Sequence, residues 1–208
     1  MAAKSDPHAP KQARSEETRK RILAAGYELL NRGAFASASI ADIAREAGCS
    51  VGAIYRRFQD KEAFENELLK GALAEGKEAI DDIFQCASDV EALAADLTRS
   101  IVSRHVFYGS IYKTALLRNI NEKSTHSLTK RQARYVMDGF ISWLKETQGI
   151  TLNARQINHI HMAFQMFNGA IANAVIARPG PLLIEQDAFV TELSRGFALL
   201  LRNSISVR

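Results

Sequence analysis

Along most of the chain apolar residues recur every three or four positions, the period of an amphipathic helix rather than of a strand. From Ser15 to Gly33 the inner stripe is Ile22, Ala25, Leu29 and Leu30, behind a basic start at Arg19, Lys20 and Arg21. The next stripe is Ile40, Ile43, Ala44 and Ala47, at i, i+3, i+4 and i+7. Ser39 in front of it is a natural N-cap, and Asp42 places an acid in the first turn, where the helix dipole favours one. Gly48 ends this helix, because the chain there needs a left-handed residue that glycine supplies at little cost. Ser50 opens a second short helix, and Ile54 and Phe58, four apart, turn it back onto the first.

The stretch Ser39 to Lys61 therefore reads as a helix-turn-helix. Asp60 then begins a helix that runs without a breaker to about Gln85, with Phe64, Leu68, Leu69 and Leu73 on one face. Its length makes it the candidate for transmitting movement between the two ends of the chain. Further helices are predicted over Ala92–Val106, Ile111–Ile120, Thr125–Glu146, Ala154–Ala177 and Phe189–Leu201. The fold class that follows is all-α.

The last two segments differ from the others. Within Ala154–Ala177 one stripe holds Ile157, Ile160, Phe164, Phe167, Ile171 and Val175, and a second holds Met162, Met166, Gly169, Asn173 and Ile176. A helix with two apolar faces needs two partners. With the apolar Phe189–Leu201 beside it, a four-helix homodimer interface with two helices from each subunit is the expectation, a fully buried pair in a monomer the alternative.

Charge sharpens the picture at the other end. The formal net charge is +4, and residues 1–61 carry 11 basic and 7 acidic side chains, so the remaining 16 basic and 16 acidic cancel. The whole excess sits with the helix-turn-helix, as an electrostatic footprint for a polyanion would. On the second helix of that motif, Val51, Gly52, Ala53, Arg56 and Arg57 are assigned to the face opposite Ile54 and Phe58. Small residues there permit close approach, and the arginines offer forked donors to phosphate or a guanine edge. Ser39 and Ser50 mark helix N-termini with unspent N–H groups, and Tyr55 and Lys61 flank the surface as phosphate contacts. Residues 1–14 read as a disordered basic arm, in which Lys4, Lys11 and Arg14 either follow a phosphate backbone or form a solvated tail.

The segment AREAGCSVGAIYRRFQDKEAF resembles the TetR-family signature, with Ala44, Gly48, Tyr55, Phe58, Lys61 and Glu62 where that pattern places them. The resemblance covers about Thr18 to Leu69. Cys49 departs from it, standing where a branched aliphatic is usual, and Val51-Gly52-Ala53 offers few side-chain hydrogen bonds, so DNA shape is expected to carry part of the specificity. The resemblance implies a DNA-binding domain over residues 15–62 and an effector-binding and dimerisation domain over residues 63–208. It also implies a repressor that binds a palindromic operator as a dimer and is released by a small hydrophobic effector.

Other chemistry is sparse. No Gly-rich phosphate loop, zinc-spaced ligand set or nucleophile motif is present, so the expectation is no enzyme, no metal and no cofactor. His105, His126, His159 and His161 read as ordinary surface or core histidines. Cys49 and Cys86 are read as small buried hydrophobes, since two cysteines cannot build a disulfide framework. No run approaches ~18 apolar residues and no secretory signal opens the chain, which points to the cytoplasm and away from membranes. The middle of the chain is rich in aromatics, and Tyr112, Trp143 and Asn168 are the candidate contacts of an effector in an apolar pocket. The alternatives are an all-helical carrier or enzyme without DNA binding, and a protein–protein adaptor docking through the first helices.

Overall fold

The computed structural model describes residues 9–121 and 127–206. Among them the chain forms nine helices and no strand: α1 (Ala9–Asn31), α2 (Ile40–Glu46), α3 (Val51–Tyr55), α4 (Lys61–Cys86), α5 (Val90–Phe107), α6 (Gly109–Asn121), α7 (Leu128–Glu146), α8 (Ala154–Ile176) and α9 (Asp187–Ser206). All-α architecture is thus observed. Helix α1 begins six residues earlier than the apolar pattern suggests, inside the stretch read as an arm. Pro10 does not prevent this, because a first-turn residue needs no N–H. Lys4 and His126 lie outside the described residues.

The chain divides into two compact units, Met1–Leu69 and Lys70–Arg208. In the first, α2 rests on α1 and α3 on α2. Its core is built from Ile22, Leu29, Phe35, Ile43, Ile54, Phe58, Phe64 and Leu68, all buried. Phe58 meets Phe64 edge-on, with centroids 5.1 Å apart. Gly26 lets α1 and the start of α4 touch, since a Cβ there would lie 2.7 Å from Phe64 Cζ and 2.8 Å from Leu68 Cδ1. Across the same contact Arg19 donates to Glu67 at 2.6 Å and the Tyr27 hydroxyl to the Leu68 carbonyl at 3.3 Å.

The second unit is organised on α5, α8 and α9, with α6 and α7 against α8. Aromatic rings fill its centre. Phe167 stacks on Phe197 at 4.2 Å, Phe164 meets Phe197 edge-on at 5.1 Å, and Phe140 lies 5.7 Å from Phe164. Buried Thr98 satisfies its hydroxyl by donating to the Ala94 carbonyl at 2.7 Å, the usual back-bond of a hydroxyl inside a helix. Gly139 admits Phe84, whose ring would come within 2.5 Å of any Cβ at that position. Cys86, read as buried, is exposed at the end of α4, and Cys49 is half-buried.

Candidate nucleic-acid interface and effector cavity

Local chemistry fixes α2 and α3. Ser39 caps α2: its Oγ accepts from the Asp42 N–H at 3.2 Å, while its own N–H donates to Asp42 Oδ2 at 2.9 Å, completing a capping box. The Ser39 hydroxyl, then its N–H and Arg45, hold the Asp42 carboxyl below the usual carboxylate range. Gly48 takes the left-handed conformation, φ +59, that reverses the chain. Ser50 caps α3 by accepting from the Ala53 N–H at 3.2 Å. Both serines are therefore engaged in building the motif.

At roughly 100° per residue, residues 51–58 divide into two arcs. Val51, Gly52, Tyr55 and Arg56 share one arc and all four are exposed, Val51 at 39% and Tyr55 at 53%. Ala53, Ile54 and Phe58 occupy the other and are buried. Arg57 also falls there, half-buried. No hydrogen bond or ion pair among the described residues engages the Arg56 side chain. On the neighbouring α2, Arg45 is exposed and paired with Asp42. The sequence reading did not select it, although its place one turn after the capping aspartate was a signal.

Two residues assigned to the outer face, Ala53 and Arg57, and one expected to flank it, Lys61, are corrected by this geometry. Ala53 is only 7% exposed, because it follows the buried arc next to Ile54. Arg57 turns inward: its guanidinium donates to the Ala53 carbonyl at 2.9 Å, the Ser15 carbonyl at 3.1 Å and Ser15 Oγ at 3.3 Å. It ties the end of α3 to the first half of α1. Lys61 donates to the Ala38 carbonyl at 2.7 Å and lies over the Phe35 ring, 5.3 Å from its centroid. Its ammonium thus closes off the connection between α1 and α2 and is a tie within the unit.

The second unit contains a cavity of about 380 Å³. Its walls are mostly apolar, among them Leu73, Ile80, Val136, Phe164, Phe167 and Ile171. Polar groups reach it from α5 and α6 (Arg104, His105 and Tyr112), from α7 (Thr129, Lys130 and Gln132) and from α8 (Asn168). His105 Nδ1 donates to the Ile101 carbonyl at 2.8 Å, and its ring stacks on Tyr112 with centroids 4.1 Å apart. Burial holds this imidazole below its ordinary value, and burial pushes the Tyr112 phenol up to about 12. Asn168 lines the cavity with its amide donating to the Phe164 carbonyl at 2.9 Å. Of the residues expected to contact an effector, the structure brings Tyr112 and Asn168 to this cavity and not Trp143. Trp143 is buried beside Phe140, with its indole N–H unpaired. Arg104 and His105 were missed; the signal was two adjacent ionisable side chains between the apolar pairs Ile101-Val102 and Val106-Phe107.

Among the described residues no group of three or more His, Cys, Asp or Glu side chains is placed to hold a metal, and no helix is long and apolar enough to cross a membrane. His159 and His161 are exposed on α8.

Residues 22–68 match the model of the bacterial regulatory proteins of the tetR family. No curated protein matches the chain in sequence. Solved structures share its fold. A transcriptional regulator from Rhodococcus sp. Rha1 is 14% identical with a TM-score of 0.66, covering 91% of this chain and 98% of that one. A putative TetR-family regulator from Mesorhizobium loti MAFF303099 is 17% identical with a TM-score of 0.61, covering 93% and 97%. RolR, solved in complex with resorcinol, is 18% identical with a TM-score of 0.59, covering 95% and 97%. A capped helix-turn-helix thus lies inside the segment, residues 22–68, that matches the bacterial regulatory proteins of the tetR family, and an all-helical unit follows it in the chain.

Proposed function

We propose that the protein is a cytoplasmic repressor that binds a palindromic operator as a homodimer and releases it when a small hydrophobic effector occupies the C-terminal cavity. In this reading residues 15–62 engage DNA and residues 63–208 sense the effector and dimerise. The observation that carries it is the outer arc of α3: Val51, Gly52, Tyr55 and Arg56 are exposed together, with Arg56 free to meet phosphate or a base edge. Val51 offers apolar contact to a thymine methyl, and Gly52 lets the backbone approach closely. The serines capping α2 and α3 present their neighbouring N–H groups to phosphate.

A second copy of the chain is the partner that suits α8 and α9. Met162 and Met166 are 54% and 53% exposed, Leu199 is exposed on the adjacent α9, and nothing lies within 4 Å of a Cβ built at Gly169 or Gly196. Large exposed apolar side chains beside open glycines suit close helix–helix contact across a two-fold axis. Reading a two-fold site requires the two α3 helices of such a dimer to stand about one DNA turn apart. The effector binds the DNA-incompetent arrangement more tightly, and that difference in affinity draws the population off the operator.

The test is a gel shift with DNA from upstream of the gene. The parent protein should retard this DNA, and Val51→Glu, which sets an acid on the outer arc without touching the core, should abolish retardation while the helical circular dichroism is unchanged. Equal retardation by the variant would remove α3 from the interface.

A further inference from the structure

We infer that the ligand of the C-terminal cavity is a small hydrophobic monoanion, a carboxylate on an apolar body, whose acid end is received by Arg104 and Tyr112. The inference rests on the reading of this cavity as an effector site and assigns the chemistry of what enters it.

The charge of the lining is one-sided. Among the described residues Arg104 and Lys130 line the cavity, and no Asp or Glu does. Arg104 is held but hardly spent. One terminal nitrogen donates to the Glu75 main-chain carbonyl at 3.2 Å, and Nε is buried without a partner. Of the five N–H donors of a guanidinium, those left for a ligand are therefore the terminal N–H groups not bonded to Glu75, and a carboxylate presents acceptors that match them. Gly76 provides the seat: a Cβ built there would stand 3.4 Å from Arg104 Nε and 3.6 Å from Cζ, so the fork lies against bare backbone. The Glu75 carboxylate accepts the Tyr108 hydroxyl at 2.8 Å, and it is the Glu75 main-chain carbonyl that accepts from Arg104.

Tyr112 supplies a second donor. Its phenol stays protonated throughout the physiological range, and its ring is fixed by the stack on His105. His105 spends its Nδ1 proton on the Ile101 carbonyl, which leaves Nε2 as an acceptor, suited to a ligand hydroxyl rather than to the acid itself. The apolar walls are Leu73, Ile80, Val136, Phe164, Phe167 and Ile171, and Thr129, Lys130, Gln132 and Asn168 complete the lining. A volume of about 380 Å³ stands near the low end of the ~300–1,000 Å³ typical of ligand clefts. One or two fused rings or a medium alkyl chain fit this space better than a multi-ring drug or a long acyl chain.

The experiment measures binding by calorimetry on the full-length protein without DNA. The probes are 2-naphthoate, 3-phenylpropionate and octanoate, each beside its primary amide and its amine counterpart. Carboxylates should bind about tenfold or more tightly than the matched amides, and amines weakest, since a hydrogen bond to a charged group is worth about a factor of ten. Arg104→Gln should erase the preference for the acid while amide binding persists, and Tyr112→Phe, which keeps the ring stack, should lower it severalfold. Amides or amines binding as well as acids, a preference unchanged in Arg104→Gln, or no binding of any acid up to millimolar concentration would each overturn the inference. Operator release is scored separately by gel shift. Acids that bind yet leave the DNA complex intact would contradict the effector reading and leave the ligand chemistry standing.

Discussion

The two units carry their chemistry on opposite sides of their surfaces. In the first, four exposed residues of α3 sit on a core sealed by Ile54 and Phe58, and the arginine and lysine nearest them, Arg57 and Lys61, are spent on holding the helices in place. In the second, the polar groups of interest face inward, into a cavity walled by Phe164 and Phe167. A surface site must be rigid below and open above. A cavity site needs polar groups held in position by the core around them. Positive charge therefore means different things in the two places: Arg56 is exposed and unengaged, whereas Arg104 is seated on Gly76 with an unpaired nitrogen.

The contrast can be broken most severely from the inside of the second unit. Phe197 stacks on Phe167 and meets Phe164, two of the cavity walls, so Phe197→Ala should cost about 3–5 kcal/mol by denaturant unfolding and abolish ligand binding. In the first unit, Arg57→Ala removes the bonds to Ser15 and Ala53 and should cost about 1–3 kcal/mol, since the guanidinium is part-buried. Gly26→Ala should be milder, about 1 kcal/mol, because the clash of its Cβ with Phe64 and Leu68 is offset in part by better helix propensity.

The smallest effect sharpens the inward character of the second unit. His105 titrates below 6.5 because burial disfavours its charged form, so between the two values the unfolded chain binds the extra proton. Its contribution to stability is complete above pH 6.5 and is lost as pH falls through the folded value. Melting temperatures followed from about pH 7.5 down to about pH 5 should therefore decline more in the parent than in His105→Asn.

Much of the fold was legible because helices α1 to α9 are each marked by local signals: apolar spacing, Ser39 and Ser50 as caps, and Gly48 at a left-handed turn. The outer arc of α3 was legible only in part. Tyr55 and Arg56 follow from spacing, but Ala53 was placed by its small size, and Arg57 and Lys61 by their charge, whereas angular position and the carbonyls of Ser15 and Ala38 decide where all three go. The cavity was not legible. Its walls come from α4 to α8, and no local pattern states that Arg104 and Tyr112 converge or that Trp143 packs elsewhere.

The most direct test of the central claim, that the outer arc of α3 meets DNA while its inner arc only supports it, is the salt dependence of binding to the gene's own upstream DNA for the parent, Arg56→Ala and Arg57→Ala. Arg56→Ala should weaken binding at every salt concentration and reduce the slope of log affinity against log salt by about one per subunit, while folded Arg57→Ala keeps the parent's slope. A slope unchanged in Arg56→Ala, or lowered equally in a stably folded Arg57→Ala, would contradict the division into two arcs.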